Sequence, residues 1–156
     1  MKPHAHMKPA ARTRQRGAAA VEFALVCLVF LTLLIGIMEM GRLLFYWNAA
    51  AEATRWGARL AVVCDFNDSI IKDKMQVVLP ILKATDISVS YEPSSCASDA
   101  ATARASCQSV TVEIKPTVVV KTFIPTLAMS LTMPPFVTTL PRESMDSVTN
   151  TNPVCN

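Results

Sequence analysis

Histidine is almost missing from this chain: His4 and His6 are its two copies, both inside the first seventeen residues. Beyond them the usual general base and the commonest metal ligand are absent. Glycine is scarce as well, with Gly17, Gly36, Gly41 and Gly57 as the four copies, all within or beside one apolar run. That leaves no glycine-rich loop to cradle a phosphate. No nucleophile has a histidine to activate it, and no two carboxylates are paired at a plausible site, so no catalytic residue is assigned. Acidic residues are absent from Met1 to Gly17, and charge of either sign is absent from Phe23 to Met38. Proline is absent between Ala10 and Leu79.

Those gaps frame one long stretch. Counted back to Ala18, the uncharged run reaches the ~20 residues that a helix needs to cross hydrocarbon, with Glu22 as its one charge. Apolar composition continues beyond it without a proline, so the spacing predicts one helix from about Ala18 to Val63. At 1.5 Å per residue it would extend about 70 Å, against a hydrocarbon core of about 30 Å. Roughly half of it must therefore project as a stalk. The length of the chain leaves room for one small domain besides this anchor.

Charge supports an orientation. Lys2, Lys8, Arg12, Arg14 and Arg16 are five of the fifteen basic residues, and without them ten face twelve acidic ones. The overall +3 is thus a property of the leader, residues 1–17, and not a nucleic-acid footprint. By the positive-inside rule the leader stays cytoplasmic and the remainder is exported. The competing reading, a basic arm for nucleic acid or anionic lipid, is disfavoured by the apolar run that follows at once.

Gly17 is a small residue at the membrane boundary. A cut there would remove the basic leader and keep the apolar helix, unlike a secretory site, which lies after the apolar region. The new amine on Ala18 would lie one helical turn from Glu22, or near Glu22 of a neighbouring copy. Glycine, then a glutamate fifth and an aromatic sixth in the following chain, here Gly17, Glu22 and Phe23, resembles the processing site of type IV prepilins. The longer pattern G-A-A-A-V-E-F-A-L-V, followed by G-I-M-E-M-G-R-L-L, is similar to the TadE family, pilin-like subunits of the tight-adherence (Flp) pilus system. V-V-C-D at Val62–Asp65 and L-P-R-E-S at Leu140–Ser144 add to that resemblance.

The resemblance implies a structural role without catalysis or cofactor. It implies a minor pilin or pseudopilin of the bacterial inner membrane, single-pass, N-terminus cytoplasmic and C-terminal head periplasmic or extracellular. Implied partners are a prepilin peptidase, other TadE- and TadF-like pseudopilins, the pilus assembly platform and the major pilin. The alternative is an uncleaved single-span envelope protein whose exported head binds a ligand or partner.

Smaller features follow in chain order. Cys27 is surrounded by Leu, Val and Phe and behaves as a small hydrophobe. Thr32 is placed to bond back to a preceding carbonyl. Glu39 and Arg42, three apart, share a helix face near the outer membrane surface and form a candidate boundary ion pair. In the stalk, Asn48, Glu52, Arg55 and Arg59 fall on one side, with Leu43, Trp47, Ala50, Thr54, Gly57 and Ala61 on the other. Ala49, Ala53, Gly57 and Ala61 make a stripe of small residues against which a sheet can pack, and Tyr46 and Trp47 could instead form an interfacial belt.

Beyond the stalk, Asp68 or Ser69 is the N-cap for a second helix from Ile70 to about Val78, or onward to Leu82, with Pro80 marking its end or a kink. Ile87, Val89 and Tyr91 alternate as a half-buried strand, and Val110 to Ile114 as another. Cys96 to Cys107 encloses a polar, alanine-rich loop. Val118–Ile124 reads as a further strand or a continuation, and Ser130–Met133 with Phe136–Leu140 as one proline-interrupted edge strand. From spacing alone, Arg142, Glu143 and Ser144 read as a solvated turn. The exported residues 64–156 are expected to form an α+β head, one or two helices against three or four antiparallel strands, as in pilins, carried on the helix of residues 18–63.

Four cysteines remain for the head: Cys64, Cys96, Cys107 and Cys155. Outside the cytoplasm they are disulfide candidates with three possible pairings. Cys96 with Cys107 closes the shortest loop, which would leave Cys64 with Cys155 as a staple for the tail. Zinc is disfavoured, since no close cysteine pair or histidine accompanies them.

Overall fold

The computed structural model describes residues 13–123, 130–147 and 153–155, with side chains from residue 17 onward. The two histidines and most of the leader lie outside the described residues, as do Ile124 and residues 148–152 of the tail. By its internal contacts the chain divides into two compact units, residues 1–40 and 41–156. The first helix, α1, covers Thr13–Val63. It begins five residues before Ala18, since nothing in T-R-Q-R-G stops a helix: it contains no proline, and arginine and glutamine have good helix propensity.

In the second unit the exposed side of α1 carries Asn48, Glu52, Arg55 and Arg59, as the spacing predicts. The Glu52–Arg55 pair there is 3.8 Å apart and well solvated, so it adds little. The opposite side is buried: Ala50, Ala53, Thr54, Gly57 and Ala61 face the core. Leu43, Tyr46 and Trp47 are partly buried against the same core.

The second helix, α2 (Ser69–Val78), is capped by Asp68, whose carboxylate accepts from the Ile70 N–H at 3.1 Å. Ile71 and Met75 are its buried residues. Leu79 donates to the Met75 carbonyl at 3.0 Å, and Pro80 then ends the helix. Leu82 is buried but lies in a following turn.

Three strands form an antiparallel sheet: β1 (Ile87–Glu92), β2 (Ser109–Ile114) and β5 (Phe136–Pro141), with β2 in the middle. Its register sets Ile87, Val89 and Tyr91 opposite Ile114, Val112 and Val110, which face Phe136, Thr138 and Leu140. This row of side chains packs on α1. Thr138 is the polar member, and its hydroxyl donates to Thr54 Oγ1 at 3.2 Å, while Thr54 donates to the Ala51 carbonyl at 2.9 Å. The pair of threonines thus satisfies itself inside the core.

Two expectations need correction. The loop between Cys96 and Cys107 contains a helix, α3 (Ala100–Ser106). Asp99 caps it by accepting from the Thr102 N–H at 2.8 Å and the Thr102 hydroxyl at 2.7 Å, which hold its carboxyl below the usual range. Four alanines after such a cap are enough for two turns when a disulfide fixes the ends. Residues 130–140 are not one interrupted strand. Ser130–Thr132 (β4) pairs with Val119–Lys121 (β3) in a separate two-stranded ladder, and Phe136–Pro141 joins the main sheet. Pro134 and Pro135 have no N–H to offer a ladder, so the chain changes sheets there.

The stripe of small residues is where the elements come closest. A methyl group at Gly57 would sit against Met75 Sδ, 2.9 Å from Met75 Cγ and 3.3 Å from Val112 Cγ1. Met75 is itself buried, 1% exposed. Gly57→Ala gains up to ~1 kcal/mol of helix propensity but overpacks by ~1–3 kcal/mol, so we expect net destabilisation. Chemical denaturation of the detergent-solubilised protein checks this; a more stable variant would show that the contact relaxes freely.

Candidate functional site

Between Gly17 and Met40 the side chains of α1 are exposed, except that Cys27 and Glu39 are half-buried. Val21, Leu25, Val26, Leu28, Val29 and Phe30 all present more than half of their surface. From Gly17 onward α1 is long and apolar enough to cross a membrane, by length and composition. Thr32 shows how it suits hydrocarbon: its hydroxyl lies 2.8 Å from the Val29 carbonyl and 3.0 Å from the Leu28 carbonyl, leaving no donor bare. Gly17 is open on its side-chain face, with nothing within 4 Å of an added methyl. Ala18 and Glu22 are both exposed and lie one turn apart, so they share a helix face. Phe23 is 70% exposed beside them. The structure therefore gathers Gly17, Ala18, Glu22 and Phe23 on a single accessible stretch of helix.

Glu39 and Arg42 are also on α1. Arg42 Nη2 donates to the Lys121 carbonyl at 2.6 Å, and the guanidinium lies 5.8 Å from the centroid of the Tyr46 ring. The first contact ties β3 to α1 inside the second unit, a role that spacing within the helix does not reveal, and the second stays within α1.

At the other end of the stalk the structure joins the two short motifs of the resemblance. The last carbonyls of a helix have no partner within it. Here the Val62 carbonyl accepts from the Glu143 and Met145 N–H groups, each at 3.2 Å, and the Val63 carbonyl from Asp146 N–H at 2.9 Å. The Ser144 hydroxyl also donates to the Val63 carbonyl, at 3.2 Å. Residues Glu143–Asp146 are thus the C-terminal cap of α1 and not a free solvated turn. Met145 adopts φ 46° to make the approach, and its side chain is buried.

Arg104, at the end of α3, closes this latch. Its Nη2 binds the Asp65 carboxylate at 2.7 Å, its Nε donates to the Met145 carbonyl at 2.9 Å, and Asp146 lies 3.7 Å from Nη1. Ser147 accepts from the Asp65 N–H at 2.8 Å and donates to Asp68 at 3.3 Å. The Tyr91 hydroxyl accepts from the Asn67 N–H at 3.0 Å. Burial pushes the phenol up, against that hydrogen bond, and Asp68 adds to the rise. Arg104 and Ser147 drew no notice in the sequence, and Tyr91 reads there only as a strand residue. The one signal was the need of a long helix for a C-terminal cap, with no glycine available after Val63.

The cysteines pair as Cys64–Cys155 and Cys96–Cys107, with Cα atoms 5.6 Å and 5.2 Å apart. The first joins the latch to the tail and the second spans α3. Among the described residues no cluster of histidine, cysteine and acidic side chains could hold a metal ion.

Two expected outcomes follow from the latch. Arg104→Met keeps the aliphatic stem but removes the three contacts; partly solvated charge-assisted bonds of this kind are worth about 1–3 kcal/mol together. Denaturation should show that loss, shrinking at high salt, and an unchanged midpoint would mean the latch is incidental. By loop-closure entropy, the Cys64–Cys155 bridge, 91 residues apart, constrains the unfolded chain by about 4.6 kcal/mol, and Cys96–Cys107, 11 apart, by about 2.8 kcal/mol. Replacing each pair by alanine should therefore cost more at Cys64 and Cys155, in the same denaturation measurement.

No curated protein and no solved structure matches the chain. Residues 17–59, which hold the exposed apolar stretch and most of the small-residue stripe, match the family model described as TadE-like protein.

Proposed function

We propose that this chain is a minor pilin or pseudopilin-like structural subunit for assembly of a tight-adherence (Flp-type) pilus. In this reading α1 holds it in the inner membrane, and a prepilin peptidase cuts it after Gly17. The observation that carries the reading is the stretch from Gly17 to Met38: exposed, helical, apolar, and charged at Glu22 alone, within the segment that matches the family model.

An exposed apolar helix needs a solvent or a partner. Lipid supplies the first before assembly, and helices of neighbouring subunits supply the second afterwards. Phe23, Leu28, Leu31 and Leu34 provide the packing surface, and in a membrane such packing is the main driving force for association. A carboxylate in hydrocarbon costs up to ~3 kcal/mol at mid-depth and less near the interface. Cleavage creates an α-amine on Ala18, the one basic group this stretch would then hold near Glu22. One turn from Glu22, in the same subunit or the next, it neutralises the carboxylate.

The Gly17–Ala18 bond lies inside the helical stretch, so a peptidase must unwind it locally. Proline aside, glycine is the residue at which that costs least, being about 1 kcal/mol poorer in a helix than alanine. The leader contributes charge and orientation, and leaves with the cut. The head contributes no chemistry in this reading; other pseudopilins, the assembly platform and the major pilin are its partners.

N-terminal sequencing of the membrane-extracted protein should begin at Ala18. A chain beginning at Met1 would favour the uncleaved single-span envelope protein instead. Glu22→Ala should still reach the membrane but lower pilus assembly by more than about tenfold, the factor that 1.4 kcal/mol represents. Normal piliation with that variant would remove the neutralisation step.

A further inference from the structure

The turn between α1 and α2 carries a motif that the proposed assembly role leaves unused. Residues Asp65–Ser69 read D-F-N-D-S, and within them Asn67-Asp68-Ser69 has the form N-x-S. An asparagine with a serine or threonine two places on, and no proline between, is the acceptor for N-linked glycans in exported proteins when it lies at the surface. Asn48, Asn150 and Asn152 do not meet the pattern, being followed two places on by Ala50, Asn152 and Val154. Asp65, two places before Asn67, gives the acid-led form of the acceptor run.

The structure presents this run as a surface turn held from its inner side. Asp68 N–H donates to the Asp65 carbonyl at 3.2 Å, and Asn67 N–H donates to the Tyr91 hydroxyl at 3.0 Å. The Phe66 ring lies on the Tyr91 ring with centroids 4.8 Å apart. Asn67 and Ser69 are both exposed, and among the described residues neither the Asn67 side-chain amide nor the Ser69 hydroxyl makes a hydrogen bond. The two groups that define the acceptor are thus open to solvent in one turn. Asn67 has φ 56°, a left-handed conformation that asparagine tolerates, which by itself accounts for the residue type at this position. It does not account for a hydroxyl at Ser69, because Asp68 already caps α2.

We propose that Asn67 is an N-glycosylation site, its side-chain amide accepting an oligosaccharide from a polyprenyl-diphosphate donor. The catalyst is a membrane oligosaccharyl transferase. Asn67 Nδ2 forms a bond to C1 of the first sugar while the bond from C1 to the diphosphate oxygen breaks. The lipid diphosphate leaves with that electron pair, and one amide proton passes to a base of the transferase. Nothing is oxidised or reduced. The Ser69 hydroxyl is gripped by the transferase and is not consumed. To reshape the turn in its site, the transferase gives up the two backbone bonds at Asn67 and Asp68 and disturbs no strand of the sheet. The inference rests on the reading in which residues 64–156 are exported, since the sugar of the donor is displayed on that side of the membrane.

The test takes the full chain from the membranes of the cells that make it. After reduction and trypsin, the mass of peptide 60–72, which follows Arg59 and ends at Lys72, is measured. It is expected to carry the added mass of an oligosaccharide and to release sugar fragments on collision. Asn67→Gly, which suits the left-handed turn but has no amide side chain, is expected to abolish the added mass. Ser69→Ala is expected to abolish it too, and Ser69→Thr to retain it. A non-reducing peptide map showing Cys64–Cys155 and Cys96–Cys107 confirms that each variant is folded. The side of the membrane is read separately. In a Cys27→Ala background, Val77→Cys, at a position 75% exposed on α2, is treated with a membrane-impermeant maleimide in cells with an opened outer membrane. If that cysteine reacts while peptide 60–72 of the unsubstituted chain has its bare mass, glycosylation is overturned and export stands. If it reacts only once the membranes are dissolved, the export reading fails and this inference with it. Added mass that survives Asn67→Gly or Ser69→Ala belongs to another group and also overturns the proposal.

Discussion

From Gly17 to Met38 nearly all side chains of α1 stand exposed and apolar, and from Ala50 to Val63 the same helix is a wall of the head's core. Everything else answers to that division of labour within one unbroken helix. An all-apolar circumference suits hydrocarbon, where no direction is preferred. A stalk that supports a sheet needs one side small and the other charged. The composition changes accordingly near Arg42, from leucine, valine and phenylalanine to alanine and glycine alternating with Glu52, Arg55 and Arg59. The small stripe sets how near β2 and α2 can come, and Gly57 against Met75 and Val112 is its tightest point.

A helix that ends inside a folded head exposes its last carbonyls at the place where the head must hold it. Glycine would be the ordinary solution, and none is available after Val63. The chain uses its own C-terminal segment instead. Glu143, Met145 and Asp146 supply N–H groups, Arg104 ties Asp65 to the Met145 carbonyl, and Cys64–Cys155 adds a covalent link at the same point. Residues 62–65 and 140–147 thus form one structural element although some 80 positions separate Ser144 from Val63, 81 by count. The latch gathers α1, α3, β5 and the tail, so a change at any of them is felt at the end of the stalk.

This construction fits the proposed reading of a subunit that works by packing. Several buried or half-buried polar side chains are engaged structurally: Thr54 with Thr138 and the Ala51 carbonyl, Asp65 with Arg104, and Ser147 with Asp68 and the Asp65 N–H. In that reading what the molecule offers to partners is surface, above all the bare helix from Gly17 to Met38.

How much of this was legible depends on range. The apolar run, its length against a bilayer, the lone Glu22, the basic leader and the two sides of the stalk are local regularities, since helix periodicity and hydropathy are set by neighbours three or four residues apart. Asp68 as a cap, Pro80 as a stop and the alternation at Ile87–Tyr91 and Val110–Ile114 are local in the same sense. The pairing of β4 with β3, the choice among three disulfide patterns, and the capping of Val62 and Val63 by Glu143–Asp146 are contacts across tens of residues. No residue type announces such a partner, because a backbone N–H serves any carbonyl it meets. Helix α3 falls between the two cases, with a capping aspartate and alanines visible but too short a run to hold without the bridge from Cys96 to Cys107. The sequence by itself determined which segments are greasy, helical or extended, and only the tertiary structure decided which of them close on one another.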